Sequence, residues 1–164
     1  MTNNRRTAYS AKVRIPCAVL GVHTANGAVT GIEYLPASER AQAPTDALAA
    51  RVVAQIEGYL ADPHYEFTLP LAHPGTAFRQ RVRAELSKIP VGESRTYGEI
   101  ARALHTAPRA VGGACGANPV ALVVPCHRVV GSQGALGGFM NAVDGDPLAI
   151  KRWLLTHEGY RFGA

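Results

Sequence analysis

Residues 96–119 read TYGEIARALHTAPRAVGGACGANP and predict two short helices joined by a tight connection. Thr96 and Glu99 have the spacing of a capping box, in which side chains satisfy the free backbone amides at a helix start. Pro108 suits the first turn of the second helix, and Asn118-Pro119 ends it. Because so few residues separate the two helices, the pair is typical of a helix-turn-helix.

The second of these helices, from Arg109 to about residue 117, is rich in glycine. Each of its three glycines costs about 1 kcal/mol relative to alanine in a helix interior. Small residues let a helix backbone approach another surface closely, and that surface is either the protein's own core or a DNA groove. Arg109 at the leading end and the basic surroundings favour DNA.

Basic charge is concentrated in the same part of the chain. The 164 residues include 17 Lys or Arg and 12 Asp or Glu, which gives a net charge of +5. Residues 76–130 hold eight of the basic and three of the acidic side chains, so the whole excess lies there. This pattern favours a polyanionic partner, because neutralised phosphates release counterions. A well-solvated surface is the alternative.

Composition excludes several classes of protein. Hydrophobic residues make up 47%, which supports a packed core, and no apolar run is long enough to cross a bilayer. No signal-peptide core follows Arg5 and Arg6, so we expect a cytoplasmic protein without a membrane partner. Cys17, Cys115 and Cys126 are an odd number without a close pair, and they predict neither a disulfide framework nor a metal knuckle. We therefore expect no metal and no cofactor.

The first part of the chain predicts a small α/β unit. It contains, in order, a strand at 13–23, a hairpin turn at Asn26-Gly27, a returning strand at 28–35, an amphipathic helix at 44–60 and a candidate further strand at 65–71. His73-Pro74-Gly75 then breaks the chain. We expect one domain over residues 1–73 and a second over residues 74–164.

The second part is mainly helical, which makes the predicted fold class α+β. Besides the helix-turn-helix, it contains a helix at 76–89, a buried strand at 120–124, a glycine-rich loop at 131–138 and a last helix at 148–155.

Pro125-Cys126-His127-Arg128 directly follows the apolar run at 120–124. A thiol attacks as the thiolate, and its usual pKa is about 8.5, so something must take its proton. His127 is a candidate base, and Glu158 a candidate acid to orient its ring. Most isolated cysteines are packing residues. A thiol hydrolase with many turnovers and a DNA-binding regulator without chemistry therefore remain alternatives.

The motifs together resemble those of the O6-methylguanine-DNA methyltransferases, in their bacterial form. The resemblance covers residues 74–160 and rests on GTAF (75–78), IPVGESRTYGEIA (89–101), PRAVGGACGANP (108–119), PCHRV (125–129) and WLLTHEG (153–159). Residues 1–73 match only in general layout, and the resemblance implies a small sheet domain similar to ribonuclease H. It implies direct, irreversible transfer of an alkyl group from O6-alkylguanine, and also from O4-alkylthymine, in double-stranded DNA to a monomeric protein.

The resemblance implies a role for each matching residue. Cys126 resembles the alkyl acceptor, His127 the base that takes its proton through a water molecule, and Glu158 the carboxylate that orients His127. Asn118 resembles the hinge between the recognition helix and the cysteine loop. Tyr97 resembles the residue that assists proton transfer to the departing guanine.

Other residues are implied to contact the DNA or the flipped base. Arg109 resembles the finger that fills the gap left by the flipped nucleotide. The remaining implied DNA contacts are Ala110, Gly112, Tyr97, Arg128 and Ser132. The implied pocket residues are Pro125, Val129, Phe139 and Met140. The segment after Phe139 is longer than the resemblance leads us to expect, and we predict that it borders the pocket.

Overall fold

The computed structural model describes residues 8–72, 75–140 and 146–162. Its first part contains a three-stranded antiparallel sheet in the order β1-β2-β3, formed by β1 (Ala11–Ile15), β2 (Ala18–Ala25) and β3 (Ala28–Leu35). The predicted single strand at 13–23 is therefore wrong, because a turn at Pro16-Cys17 divides it. The predicted hairpin at Asn26-Gly27 is confirmed, and both residues have positive φ, 52° and 75°.

Helix α1 (Ala47–Ala61) packs against β1 and β2. Asp46 caps it by accepting a hydrogen bond from the Ala49 amide at 2.7 Å. Its buried face includes Val52, Ile56 and Tyr59. The helix predicted at 44–60 is thus confirmed, with a later start because residues 44 and 45 precede the capping residue Asp46.

Residues 65–71 do not form a strand. They touch β3 through one isolated bridge, between Val29 and Leu71. Instead, side chains of α1 hydrogen-bond to the backbone of Thr68: Gln55 accepts from its amide at 2.9 Å, and Arg51 donates to its carbonyl. With these groups occupied, the segment cannot continue a sheet ladder.

The second part contains four helices in its described residues: α2 (Ala77–Leu86), α3 (Tyr97–Ala103), α4 (Pro108–Gly116) and α5 (Asp146–His157). A short parallel pair, β4 (Arg95–Thr96) with β5 (Val129–Val130), links the start of α3 to the chain beyond Cys126. Thr96 caps α3 by accepting from the Glu99 amide at 3.0 Å. Helices α3 and α4, joined by residues 104–107, form the predicted helix-turn-helix.

The strand predicted at 120–124 is wrong, although its burial is right. The segment is a turn in which Leu122 has a φ of 71° and the Val124 amide bonds back to the Val120 carbonyl at 3.1 Å. Pro119 and Ala121 hydrogen-bond to Ile32 of β3. A short buried apolar run does not distinguish a strand from such a turn.

The α+β prediction is confirmed, and buried residues of both parts form one hydrophobic cluster. The likeness to ribonuclease H and the domain boundary stay predictions, and His73 and Pro74 lie outside the described residues. No helix in the described ranges is long and apolar enough to cross a membrane.

Candidate active site

Cys126 begins a single 3-10 turn that directly follows Pro125. The residue is 7% exposed, but it forms part of the wall of an open cavity of about 440 Å³. The cavity is lined by residues of α3, α4 and the segment before α5: Tyr97, Pro108, Arg109, Gly112, Cys115, Gly116, Cys126, Gly138, Phe139 and Met140. A small group that enters this cavity can therefore reach the thiol.

Asn118 connects the end of α4 to the cysteine. Its amide nitrogen donates to the Val124 carbonyl at 3.0 Å and to Cys126 Sγ at 3.4 Å, and its oxygen accepts from the Val120 amide at 3.1 Å. Burial raises the pKa of the Cys126 thiol, while the Asn118 hydrogen bond and the charge of Lys151 oppose that rise. The thiol is thus neutral at rest, beside two groups that favour the thiolate.

His127 and Glu158 form a fully buried pair. His127 Nε2 lies 2.7 Å from Glu158 Oε2, which places the proton on Nε2 and leaves Nδ1 as the acceptor nitrogen. Nδ1 has no hydrogen-bond partner among the described residues. Burial lowers the pKa of His127, and the hydrogen bond and charge of Glu158 counteract this. At neutral pH the ring is therefore neutral and able to accept a proton.

Glu158 is held by three further hydrogen bonds. Arg128 Nε donates to Oε1 at 2.8 Å and Arg128 Nη2 to Oε2 at 3.2 Å, and the Tyr59 hydroxyl donates to Oε2 at 2.7 Å. Burial by itself would raise the pKa of Glu158, but His127 and Arg128 lower it to about 2. The carboxylate is therefore ionised throughout the neutral range.

Tyr97 and Lys151 meet at one carbonyl group in the cavity wall. The Tyr97 hydroxyl donates to the Gly138 carbonyl at 3.0 Å, and Lys151 Nζ donates to the same carbonyl at 2.9 Å and to that of Val129 at 2.6 Å. Gly137 has a φ of 75°, and a side chain there would meet the Tyr97 ring at 3.0 Å. The glycine-rich loop thus lies close against Tyr97.

Lys151 is a site residue that the sequence did not identify. It is fully buried, and burial lowers its pKa to about 8. Its Nζ lies 5.8 Å from the centre of the Tyr97 ring and 5.9 Å from that of Phe139. A signal was available: Lys151 precedes Leu154 and Leu155 at helical spacing, on the buried side of α5.

The predicted DNA contacts divide into two groups. Arg109 is exposed in the first turn of α4, and Ser132 is exposed after β5. A side chain added at Gly112 or Gly113 would meet nothing within 4 Å, so tight packing inside the protein does not explain these two glycines. Ala110 is half-buried on the same helix. These residues leave the surface of α4 open to a partner.

Arg128 is a correction. Its guanidinium turns inward, where it binds Glu158 and donates to the Ile89 carbonyl at 2.7 Å, and its side chain is only 13% exposed. The prediction that Arg128 contacts DNA is wrong, because these acceptors already occupy the guanidinium.

Two of the four predicted pocket residues do not line the cavity. Phe139 and Met140 line it, and their contact with substrate stays a prediction. Pro125 borders a separate cleft, and Val129 is fully buried in β5, where its carbonyl accepts from Lys151. Of the long segment after Phe139, residues 141–145 lie outside the described ranges.

No group of three or more His, Cys, Asp or Glu suited to a metal ion occurs in the described parts of the chain. The described site contains a neutral thiol facing a cavity, a neutral imidazole and a buried carboxylate. Such a set can remove a proton from sulfur and stabilise the imidazolium that results.

Comparisons with known proteins point to one family. Residues 77–160 match the profile of the "6-O-methylguanine DNA methyltransferase, DNA binding domain". A methylated-DNA–protein-cysteine methyltransferase of Methanosarcina mazei is 39% identical over 132 residues, which cover 76% of this chain and 80% of that protein. One of Methanosarcina acetivorans is 46% identical over 107 residues, 64% of this chain and 65% of that protein.

Solved structures agree with the sequence relatives. The crystal structure of Mycobacterium tuberculosis OGT in complex with DNA matches with a TM-score of 0.77 and 37% identity, over 90% of this chain and 91% of that one. The O6-methylguanine-DNA methyltransferase of Pyrococcus kodakaraensis matches with a TM-score of 0.56 and 25% identity, over 93% and 99%. The likeness thus extends beyond the second part of the chain to nearly its whole length.

Proposed function

Because the chain belongs to the 6-O-methylguanine DNA methyltransferase family, we propose that Cys126 accepts an alkyl group from O6 of guanine in DNA. One observation carries this proposal. The thiol faces a cavity, and the residue next to it is a buried histidine paired with an ionised carboxylate. The transfer is stoichiometric, because a thioether has no easy route back to a thiol.

The chemistry is a direct displacement at the alkyl carbon. The Cys126 proton passes through a water molecule to His127 Nδ1, and Glu158 stabilises the imidazolium. The sulfur then forms a bond to the alkyl carbon while the bond from that carbon to O6 breaks and leaves its electron pair on guanine. The Tyr97 hydroxyl turns from the Gly138 carbonyl to donate to the departing base. No metal or cofactor takes part.

Double-stranded DNA is the proposed partner, and its modified base must leave the stack to reach Cys126. Flipping a nucleotide costs a few kcal/mol. Arg109 is exposed at the rim of the cavity, so it can fill the gap in the duplex. Ala110, Gly112 and Ser132 contact the backbone beside it. The similarity to M. tuberculosis OGT, whose structure is a complex with DNA, supports DNA as the partner of this chain.

The proposal extends to O4-alkylthymine, whose reacting atom is also an alkyl carbon on an exocyclic oxygen. The protein acts as a monomer, because Cys126, His127 and Glu158 meet within one chain. A protein that repairs genomic DNA works where that DNA is, so we place this one in the cytoplasm.

Transfer of a labelled methyl group from duplex DNA containing O6-methylguanine tests the proposal. We expect one label per wild-type chain, and none on Cys126→Ala, which still binds the duplex. Cys17→Ala is the matched control and takes up one label, because Cys17 is absent from the cavity wall. Repeated turnover would indicate a hydrolase instead, and uptake by Cys126→Ala would refute the assignment.

Arg109→Ala tests the flipping step separately. We expect transfer from duplex DNA to slow by about tenfold or more, because the variant no longer offsets the flipping energy. Transfer from free O6-benzylguanine should be unchanged, since no flipping is needed. Arg161→Ala removes another exposed arginine as a control for charge. An equal loss on both substrates would contradict the role of Arg109.

A further inference from the structure

Tyr59 connects the first part of the chain to the candidate active site. It lies in α1, 99 residues before Glu158 in sequence, and its side chain is 2% exposed. Its hydroxyl donates to Glu158 Oε2 at 2.7 Å, the same distance that separates this oxygen from His127 Nε2. The sheet-and-helix part therefore supplies one of the donors that hold the buried carboxylate.

A second contact fixes the same pair of elements. His157 Nε2 lies within hydrogen-bond distance of the Tyr59 carbonyl, at 2.8 Å, and the His157 ring stands edge-on to the Tyr59 ring at 5.1 Å. Tyr59 of α1 thus contacts both His157, the last residue of α5, and Glu158, which follows it. This double contact limits rotation of the Glu158 side chain and keeps the Tyr59 hydroxyl aligned with Oε2.

The Tyr59 hydroxyl differs from the other two donors to Glu158, because it has neither the permanent charge of Arg128 nor a ring nitrogen that takes up a proton, as His127 has. Burial raises its pKa far above the usual range, and the charge of Glu158 raises it further, so it remains a neutral donor. Glu158 Oε2 therefore accepts hydrogen bonds from both His127 and Tyr59, and the Tyr59 hydroxyl does not take part in proton transfer. The balance between these two hydrogen bonds affects how strongly His127 holds a proton.

We propose that Tyr59 is a positioning residue for alkyl transfer, which holds Glu158 Oε2 in line with His127 and limits the charge that His127 experiences. The proposal rests on the proposed function of Cys126. Without the hydroxyl, more of the carboxylate charge acts on His127, and the ring stays protonated to higher pH. A protonated His127 cannot accept the proton of Cys126.

Several other charged or titratable groups face this pair from the elements around it. Arg128 binds Glu158 directly, Lys151 of α5 acts on His127 through its charge, and Tyr34 of β3 is buried near both Glu158 and Cys126. Arg128 and Lys151 both favour a neutral His127. Their effect is common to the wild type and to a variant at position 59, so a shift between the two reports on Tyr59.

Tyr59→Phe tests the proposal, because it keeps the ring and removes only the hydroxyl. We expect transfer at neutral pH to be about tenfold slower, as is typical for the loss of a hydrogen bond to a charged group. The acid limb of the rate profile should move to higher pH, whereas duplex binding and the endpoint of one alkyl group per chain should not change. Tyr34→Phe is the matched control. It removes a buried hydroxyl that has no hydrogen-bond partner among the described residues, and the profile should stay as in the wild type.

A substitution of opposite effect covers the case in which Tyr59→Phe folds poorly. Replacing Tyr59 by 3-fluorotyrosine keeps the size of the ring and makes the hydroxyl a stronger donor. The acid limb should then move to lower pH. An unshifted profile in both proteins, or equal shifts for Tyr59→Phe and Tyr34→Phe, would overturn the proposal. A wild-type protein that takes up no alkyl group would instead refute the proposed function itself.

Discussion

Two buried acids lie in adjoining regions of the site, and their surroundings act on them in opposite directions. Cys126 stands at a cavity with one weak donor, Asn118, and burial raises its pKa. Glu158 lies behind His127 with donors from His127, Arg128 and Tyr59, and its pKa falls to about 2. Burial disfavours the charged form of both residues. The pKa falls only at Glu158, because it has more hydrogen-bond donors and a positive charge beside it.

The contrast explains how the site keeps the nucleophile Cys126 in its unreactive, protonated form. Groups whose environments separate their pKa values take different roles in acid–base chemistry. The permanently ionised Glu158 prepares His127 to receive a proton, while the neutral thiol of Cys126 is protected from stray electrophiles until substrate arrives. Loss of the carboxylate should therefore lower both the stability of the protein and the rate of transfer, whereas changes beside the thiol should lower stability less and alter the reactivity of Cys126.

Glu158→Gln should give the largest effect, because it leaves Arg128 buried without its partner. We expect a loss of about 3–5 kcal/mol in the free energy of unfolding, measured with urea, together with a large fall in transfer rate. Glu85→Gln is the matched control. Its carboxylate also has two basic partners but is more exposed, so the loss should be about 1 kcal/mol or less. Equal losses would contradict the difference in burial.

The same variant has a signature in pH. A carboxylate whose folded pKa is depressed contributes stability above its ordinary pKa of 4.5, and this is lost as the pH falls through about 2. Wild-type protein should therefore lose stability relative to Glu158→Gln between these two values. A constant difference in that window would show that Glu158 has an ordinary pKa.

Asn118 offers a comparison of two variants with an effect of intermediate size. Asn118→Ala removes the acceptor for the Val120 amide as well as the donor to Cys126, and we expect a loss of about 1–3 kcal/mol in stability. Asn118→Asp keeps that acceptor but places a negative charge near the sulfur. Asn118→Asp should thus be more stable than Asn118→Ala, and its Cys126 should react more slowly with iodoacetamide than that of the wild type. Wild-type reactivity in Asn118→Asp would contradict the role of the amide.

Lys151→Met should give the smallest effect on rate. Removing a positive charge that lowers the pKa of Cys126 should slow alkylation of the thiol several-fold at neutral pH. Because the pKa of Lys151 is about 8, the wild type loses this charge above that pH, and the two alkylation rates should become more alike. Lys88→Met, at an exposed lysine, is the control and should leave the rate unchanged. A pH-independent difference would indicate a loss of packing instead.

The stability of the wild type adds a second test of Lys151. Its folded pKa lies below the ordinary value of 10.5, so the unfolded chain binds the proton more tightly. Stability should accordingly rise with pH between about 8 and 10.5, and Lys151→Met should lack that rise.

Local patterns in the sequence predicted local structure well. The hairpin at Asn26-Gly27, the cap at Thr96 and the two helices around residues 104–107 depend on neighbouring residues, and the structure has all of them. The run at 120–124 was predicted as buried but not as a turn, because its course is set by Asn118 and by Ile32 of a distant strand.

Contacts between distant residues explain what the sequence did not reveal. Tyr59 lies in a segment that the sequence predicts as an amphipathic helix, and nothing near it in sequence indicates a carboxylate partner. Arg128 was assigned to DNA from the resemblance, yet its guanidinium binds Glu158, which lies 30 residues away in sequence. The spacing of Lys151 to Leu154 and Leu155 indicates a buried position, but the carbonyl groups of Val129 and Gly138 that accept its hydrogen bonds belong to other segments. Each depends on tertiary packing that a single sequence does not specify.

The central claim is that the sulfur of Cys126 is consumed once by an alkyl group from damaged DNA. Intact-protein mass spectrometry after incubation with duplex DNA containing O6-methylguanine tests this most directly. We expect a single added methyl group per chain, located by fragmentation on Cys126, and no further increase with excess DNA. An unmodified Cys126 after the DNA has lost its methyl group, or a methyl group on Cys115, would contradict the account.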